Sequence, residues 1–198
     1  MLVHSHTIAP TEGLVLEFGV AEGTTIRYLA GAPAMFNRVI YGFDSFRGLP
    51  EAWATYPAGH FACKIPEVPN NVELIVGMFA QTLPRFLKAH RGACALVHID
   101  CDLYSSTKTV LDLLAPRIVA GTVMVLDEYW IVIDKEQRAF NEWMAATGRT
   151  CCPEARSVEQ LCAVMVEGKA GPVFDAGPRR SRFTGGWERS TSTLSTRR

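Results

Sequence analysis

The chain predicts an α/β fold: an open, mostly parallel sheet covered by helices on both faces. Three observations carry that reading. Short β-type runs alternate with helical stretches five times, as parallel β-α units do. The runs are almost continuously apolar, as strands buried on both faces are. A glycine or a carboxylate marks the end of each of the first five runs, at the edge of the sheet where ligands bind in such folds.

The first run, residues 14–20, turns at Gly19 into a helical stretch at 24–32. The second, 38–43, is rich in Val, Ile and aromatic residues and stops at Asp44. Residues 45–71 break the alternation with many Pro and Gly residues, and a loop of that length inside a domain is usually functional. The third run, 72–76, closes at Gly77 and leads into a helix at 80–90 with Pro84 near its start. The fourth, 94–99, ends at Asp100. The helix after it, 105–118, carries Val110, Leu111, Leu114 and Ile118 at helical spacing, with Asp102 or Ser105 as candidate caps and Pro116 shortening its end. The fifth run, 122–126, ends at Asp127. A helix at 135–147 puts Phe140, Trp143 and Met144 on one face, and residues 160–166 form the last strand.

At 198 residues and 48% apolar composition the chain suits one domain with a sizeable core. Lys plus Arg and Asp plus Glu both number 20, which excludes a strongly basic nucleic-acid binder and an acidic disordered chain. The balance is uneven. Residues 168–198 hold seven basic and two acidic residues, with few aliphatics, and are expected to be a basic, disordered tail beyond a domain at 1–167. Of the six cysteines, Cys94, Cys101 and Cys162 lie in apolar runs, Cys151 and Cys152 are adjacent, and there is no C-x-x-C pair. Neither disulfides nor structural zinc is expected, and a reducing, cytoplasmic compartment is. No secretory leader and no membrane-spanning run are apparent.

The residues beyond the strand ends carry the chemistry. Gly19 and Gly23 are spaced G-x-x-x-G, which departs from the dinucleotide fingerprint, and no phosphate-binding G-x-x-x-x-G-K-[ST] occurs. Asp44 ends the second run where an acid can accept from a ribose diol, or simply cap a turn. With Gly19 it favours an adenosine-bearing cofactor. The densest signal is His98-Ile99-Asp100-Cys101-Asp102, followed by Asp127-Glu128 on the next strand. In extended chain, residues i and i+2 point the same way, so Asp100 and Asp102 are expected in one cleft. Clustered carboxylates repel, and a divalent cation resolves the conflict. All-oxygen ligands suit Mg²⁺, Ca²⁺ or Mn²⁺. Solvated or capping acids are the plainer alternative. His98 reads first as a hydrogen-bonded core histidine. Trp53, Tyr56 and Phe61 line a substrate lid or pack the long loop. With no G-x-S-x-G or H-E-x-x-H, hydrolase readings have no anchor.

The segments LVLEFGVAEGTTI, VIYGFDSFRGLPEAW, VELIVGMFAQTLPRF, LVHIDCDLYSSTKTVLDLL and GTVMVLDEY, in that order, resemble the macrocin O-methyltransferase family over about residues 12–167. The resemblance implies a Rossmann-like class I methyltransferase fold with an antiparallel last strand. It also implies S-adenosylmethionine as cofactor and Mg²⁺-assisted methylation of a hydroxyl on a small molecule such as a sugar or natural-product intermediate, without nucleic acid or membrane and with a homodimer left open. By this likeness Glu17, Gly19, Gly23 and Thr24 belong to the first cofactor motif, with Thr24 near the methionine carboxylate. Asp44 with Ser45 holds the ribose, and Gly77 and Phe79 line the adenine. Asp100, also beside the cofactor, and Asp127 are metal ligands, joined by Glu128 where the family has an aspartate. Asp102 is the general base. The family's N-terminal helical lid has no counterpart in the dozen residues before the first strand. A catechol-type methyltransferase on an aromatic diol, an NAD-dependent oxidoreductase and a non-catalytic cofactor-binding module are the alternatives. The glycine spacing and the lack of a Tyr-x-x-x-Lys pair disfavour the oxidoreductase.

Overall fold

Leu14, Leu16 and Phe18 face one apolar layer and Val15 the opposite one, so an unbroken apolar run becomes a strand covered on both sides. The same alternation holds for Val97 and Ile99 against Leu96. The computed structural model describes residues 2–130, 135–157 and 159–166. The tail expected at 168–198 lies outside them. The strands are β1 (Leu14–Phe18), β2 (Ile40–Asp44), β3 (Val72–Val76), β4 (Cys94–Ile99), β5 (Val123–Leu126), β6 (Thr150–Arg156) and β7 (Leu161–Val166). The helices are α1 (Leu2–Ile8), α2 (Thr24–Ala30), α3 (Phe79–Ala89), α4 (Tyr104–Leu114) and α5 (Glu136–Thr147).

The seven strands form one sheet in the order β3-β2-β1-β4-β5-β7-β6. The first five are parallel, and β7 runs antiparallel between β5 and β6. One face is covered by α3, α4 and α5 through Leu83, Phe86, Val110, Leu114, Phe140 and Trp143. The other is covered by α2 through Ile26 and Leu29, and by α1 through Leu2 and Ile8. Each fully buried Leu, Ile or Phe contributes roughly 1.5–3 kcal/mol of transfer free energy, so the sandwich is held chiefly by these two layers. Strand order reverses between β1 and β4, where crossovers leave in opposite directions and open a crevice above the carboxyl ends. No helix among the described residues is long and apolar enough to cross a membrane. All six cysteines are free.

Four local expectations are corrected. The residues before β1 carry a short helix, α1, which packs on the sheet at β5 rather than over the carboxyl-end crevice. Residues 150–156 form an edge strand, β6, although they contain Pro153. The register shifts beside that proline, and Glu154 is exposed there, so a lost ladder donor is tolerated at the edge. Neither Asp102 nor Ser105 caps α4. The capping position is Leu103 with no side-chain bond, and Ser105 Oγ donates to Glu51 Oε1 at 2.6 Å. Finally, α4 spans Tyr104–Leu114 and not 105–118, with Pro116 shortening its end as expected.

Candidate active site

Four of the five parallel strand ends at the crevice are pinned by the residue that follows them. The N–H groups of Gly19, Gly77, Asp100 and Asp127 donate to the carbonyls of Phe43, Asp44, Phe18 and Ile99, at 2.9–3.0 Å. The ladder thus runs one residue past β1, β3, β4 and β5 and fixes the first residue of the loop after each. At Gly19, φ is +93°, and a Cβ built there would lie 1.7 Å from the Asp100 carbonyl oxygen. Glycine is needed here because the main chains of β1 and β4 close on each other, before any ligand is considered.

Asp44 binds the loop after β1. Its Oδ2 accepts from the N–H groups of Val20 and Ala21 at 2.9 and 2.8 Å, and its Oδ1 accepts from Phe46 N at 2.7 Å. Three of its lone-pair sites are therefore taken by main chain, leaving Oδ1 room for one more donor. Glu17 is fully buried beside its register partner His98 on β4. Its Oε1 accepts from Thr25 Oγ1 at 2.8 Å, and its Oε2 lies 3.3 Å from His98 Nδ1. Glu17 therefore fastens β1, β4 and α2 together.

A cleft of about 520 Å³ opens above these strand ends. Of the sequence-predicted residues, Gly19, Thr24, Asp44, Ser45, Gly77, Phe79, Asp100 and Asp102 are on its wall. Glu17, Gly23, Asp127 and Glu128 are not on that wall. Gly23 packs against Arg27 and Pro66. The long loop supplies a wall of its own, including Leu49, Phe61 and Cys63. That loop is built: Leu49 N donates to His60 O at 2.9 Å, and Trp53 and Tyr56 exchange main-chain bonds and stack at 5.6 Å. Trp53 packs with Leu49 and Leu103, while Phe61 reaches the cleft.

The acids converge, though not by strand alternation. β4 ends at Ile99, and Asp102 has φ +60° at the centre of a three-residue turn closed by Leu103 N donating to Cys101 O at 2.6 Å. A turn with positive φ at its centre is the rare, strained form. It brings Asp102 into the cleft beside Asp100. His98, Asp100 and Asp127 each present an atom able to ligate a metal within 4.8 Å of the others, and Glu128 is outside that group. Asp127 also accepts from Gln160 Nε2. Burial, with Asp127 and Asp102 adding to it against the opposing His98, pushes the Asp100 carboxyl up to about 7. Burial and Asp127 push Asp102 up to about 6. Burial with Asp102 and Asp100 raises Glu128 to about 7. Burial alone would lower His98, but Glu17, Asp100 and Asp127 outweigh it and carry the imidazole up to about 9. Glu128 Oε2 and His98 Nε2 are buried without a hydrogen-bond partner among the described residues.

Glu136 was not visible as a site residue from sequence. It is the first residue of α5, is fully buried, and accepts from Cys101 N and Glu128 N, each at 3.2 Å. An acid in the first turn of a helix reads the same whether it faces water or the core.

A sheet of this order, with glycine and acid loops around a crevice at its carboxyl ends, defines the class I methyltransferase fold. Solved structures agree. The calicheamicin methyltransferase CalS11 superposes with a TM-score of 0.64 at 24% identity, covering 82% of this chain and 75% of that one. The O-methyltransferase NovP superposes with a TM-score of 0.65 at 21% identity, covering 84% and 79%. The Bacillus cereus O-methyltransferase in complex with SAH gives 0.56 at 13%, covering 84% and 78%. Residues 16–129 match the family model described as a methyltransferase domain, and the chain belongs to that family. A curated relative, the 8-demethyl-8-(2,3-dimethoxy-alpha-L-rhamnosyl)-tetracenomycin-C 4'-O-methyltransferase of Streptomyces olivaceus, is 30% identical over 60% of this chain and 54% of its own. This chain thus spans about half the length of that relative.

Proposed function

We propose that the chain is an S-adenosylmethionine-dependent O-methyltransferase, assisted by a divalent cation, acting on a hydroxyl of a sugar or natural-product intermediate. One observation carries the reading: Asp100 and Asp102 stand on the wall of the same cleft as the Gly19 loop and Asp44. A proton acceptor and a nucleoside-type cradle therefore share one cavity. The tetracenomycin relative, named for 4'-O-methylation of a rhamnosyl unit, supports a sugar acceptor.

Gly19, Thr24, Asp44, Ser45, Gly77, Phe79 and Asp100 would hold S-adenosylmethionine, with Glu17 and Gly23 shaping the loop from behind. Asp100, Asp127 and Glu128 would hold the cation. The donor set fits one: half-buried acids repel one another, and Glu128 keeps a buried oxygen unpartnered. Carboxylate oxygens suit Mg²⁺ or Mn²⁺. When bound, the cofactor supplies an electrophilic methyl on its sulfonium, and the cation lowers the pKa of a coordinated hydroxyl. Asp102 would accept the proton of the acceptor hydroxyl, to which the bound cofactor would supply the methyl group. Phe61 and Leu49 close the cleft from the loop side and orient the acceptor.

The experiment is calorimetry with S-adenosylhomocysteine, followed by turnover with nucleotide-linked deoxysugars and glycosylated aromatic polyketides, with Mg²⁺ and with EDTA. Binding, product formation and loss of turnover in EDTA are expected. Absence of S-adenosylhomocysteine binding overturns the reading, and full turnover in EDTA removes the cation from it.

A further inference from the structure

Glu136 has no place in the chemistry described so far, yet it is a fully buried carboxylate bonded to the loops that carry it. Its side chain is fully buried at the start of α5. A carboxylate leaves water only where other donors replace the lost solvation. Here the donors are main-chain N–H groups from two different loops: Oε1 accepts from Cys101 and Oε2 from Glu128, each at 3.2 Å. Cys101 lies between Asp100 and Asp102, and Glu128 directly follows Asp127. One side chain therefore grips both loops that carry the four acids, beyond the point where the ladder bond from Asp127 N to Ile99 O joins their strands. The first turn of a helix favours an anion there as well.

We propose that Glu136 is a positioning residue that clamps the Asp100–Asp102 and Asp127–Glu128 loops together, so that their acids converge before any ligand binds. The proposal rests on the methyltransferase reading for what the converged acids receive; the clamp itself is a property of the two loops. It needs two acceptors in one side chain. Glutamine offers a single acceptor and turns an N–H₂ toward the second N–H group, so Glu136→Gln releases one loop while keeping size and shape.

The test compares full-length wild type with Glu136→Gln by amide hydrogen exchange and by ligand titration at about pH 8.5, above the value of about 8 to which burial raises Glu136, so that both of its oxygens accept. In wild type, the amides of Cys101 and Glu128 are expected to be protected. If either exchanges like an exposed loop amide, the clamp does not exist, and this outcome needs no variant to fold. In Glu136→Gln, at least one of the two is expected to exchange roughly tenfold faster or more, while the strand amides of Leu96 and Val125 keep their rates. Affinity for Mn²⁺ is expected to fall at least about tenfold, as it does when groups supporting ligands are lost. Affinity for S-adenosylhomocysteine, which Asp100 alone of the four acids would contact, is expected to fall by clearly less than affinity for Mn²⁺. Unchanged exchange at both amides overturns the proposal. So does a loss of S-adenosylhomocysteine affinity as large as the loss for Mn²⁺, because that marks general damage. If wild type binds S-adenosylhomocysteine but no Mn²⁺, the cation reading fails, and the exchange rates alone decide the role of Glu136.

Discussion

Asp102 is held in a left-handed backbone conformation that aspartate adopts more readily than most residues, yet still at a cost. The strain places an acid in the cleft that strand alternation would not have delivered once β4 had ended. Replacing it by asparagine keeps the shape and removes the proton acceptor. Asp102→Asn is expected to lower turnover by about 10²–10⁴, as loss of a general base does, while S-adenosylhomocysteine affinity is retained. Retained turnover would take Asp102 out of the role. Because burial and Asp127 raise its carboxyl to about 6, the base is charged above that pH and protonated below it. In metal-free protein Asp102 is therefore expected to titrate near pH 6, as followed by carboxyl NMR, and Mg²⁺ should move that titration to lower pH; a titration in the usual carboxylate range without the cation would contradict the burial. Asp100, Asp102 and Asp127 were legible in the sequence because each sits where an apolar run gives way to an acid. Glu136 was not, since its burial depends on which way α5 is turned. Asp44 is the intermediate case. The sequence places it at the strand end, but only the fold shows most of its acceptors already spent on Val20, Ala21 and Phe46.

Elements matter here through their ends. Four ladder bonds carry the parallel sheet one residue into its loops, and Gly19 makes the closest of these approaches possible. Gly19→Ala would force a side chain into left-handed backbone and against the Asp100 carbonyl. A destabilisation of roughly 2–4 kcal/mol is expected from strain and clash together. That corresponds to a fall in Tm of about 5–15 °C for a domain of this size. Thermal unfolding checks it, and a Tm within about 2 °C of wild type would show that the loop can yield. The strands read easily from their composition because burial on both faces demands apolar residues at every position. β6 did not, because Thr150–Arg156 has the composition of a loop and becomes a strand only by pairing with β7. The sequence does not announce α1 for a related reason, since seven residues have too little local preference to declare a helix without the sheet they pack on.

Across the whole molecule the buried ionisable groups pull stability in one direction. Asp100 and Glu128 are raised to about 7 and Glu136 to about 8, in each case first by burial. An acid whose pKa is higher in the folded state holds its proton more tightly there, so the fold gains stability as pH falls through the folded value. His98, raised to about 9, also holds its proton more tightly when folded; its contribution is complete below about 6.5 and lost as pH rises through about 9. Metal-free protein is therefore expected to have a Tm roughly 5 °C or more higher at pH 6 than at pH 9. Mg²⁺ or Mn²⁺ should narrow the gap by favouring the ionised acids. A flat or inverted profile in the metal-free protein would contradict the buried cluster. The α/β class, the parallel β-α order and the glycines and acids at the strand ends are all written locally, because twofold burial demands apolar runs and each run switches from apolar to polar at its end. The tertiary structure alone decided which acids meet, that Glu17 and Glu136 serve as internal fastenings, and how the long loop closes the cleft. Those outcomes depend on strand order and helix rotation, which bring together residues far apart in the chain.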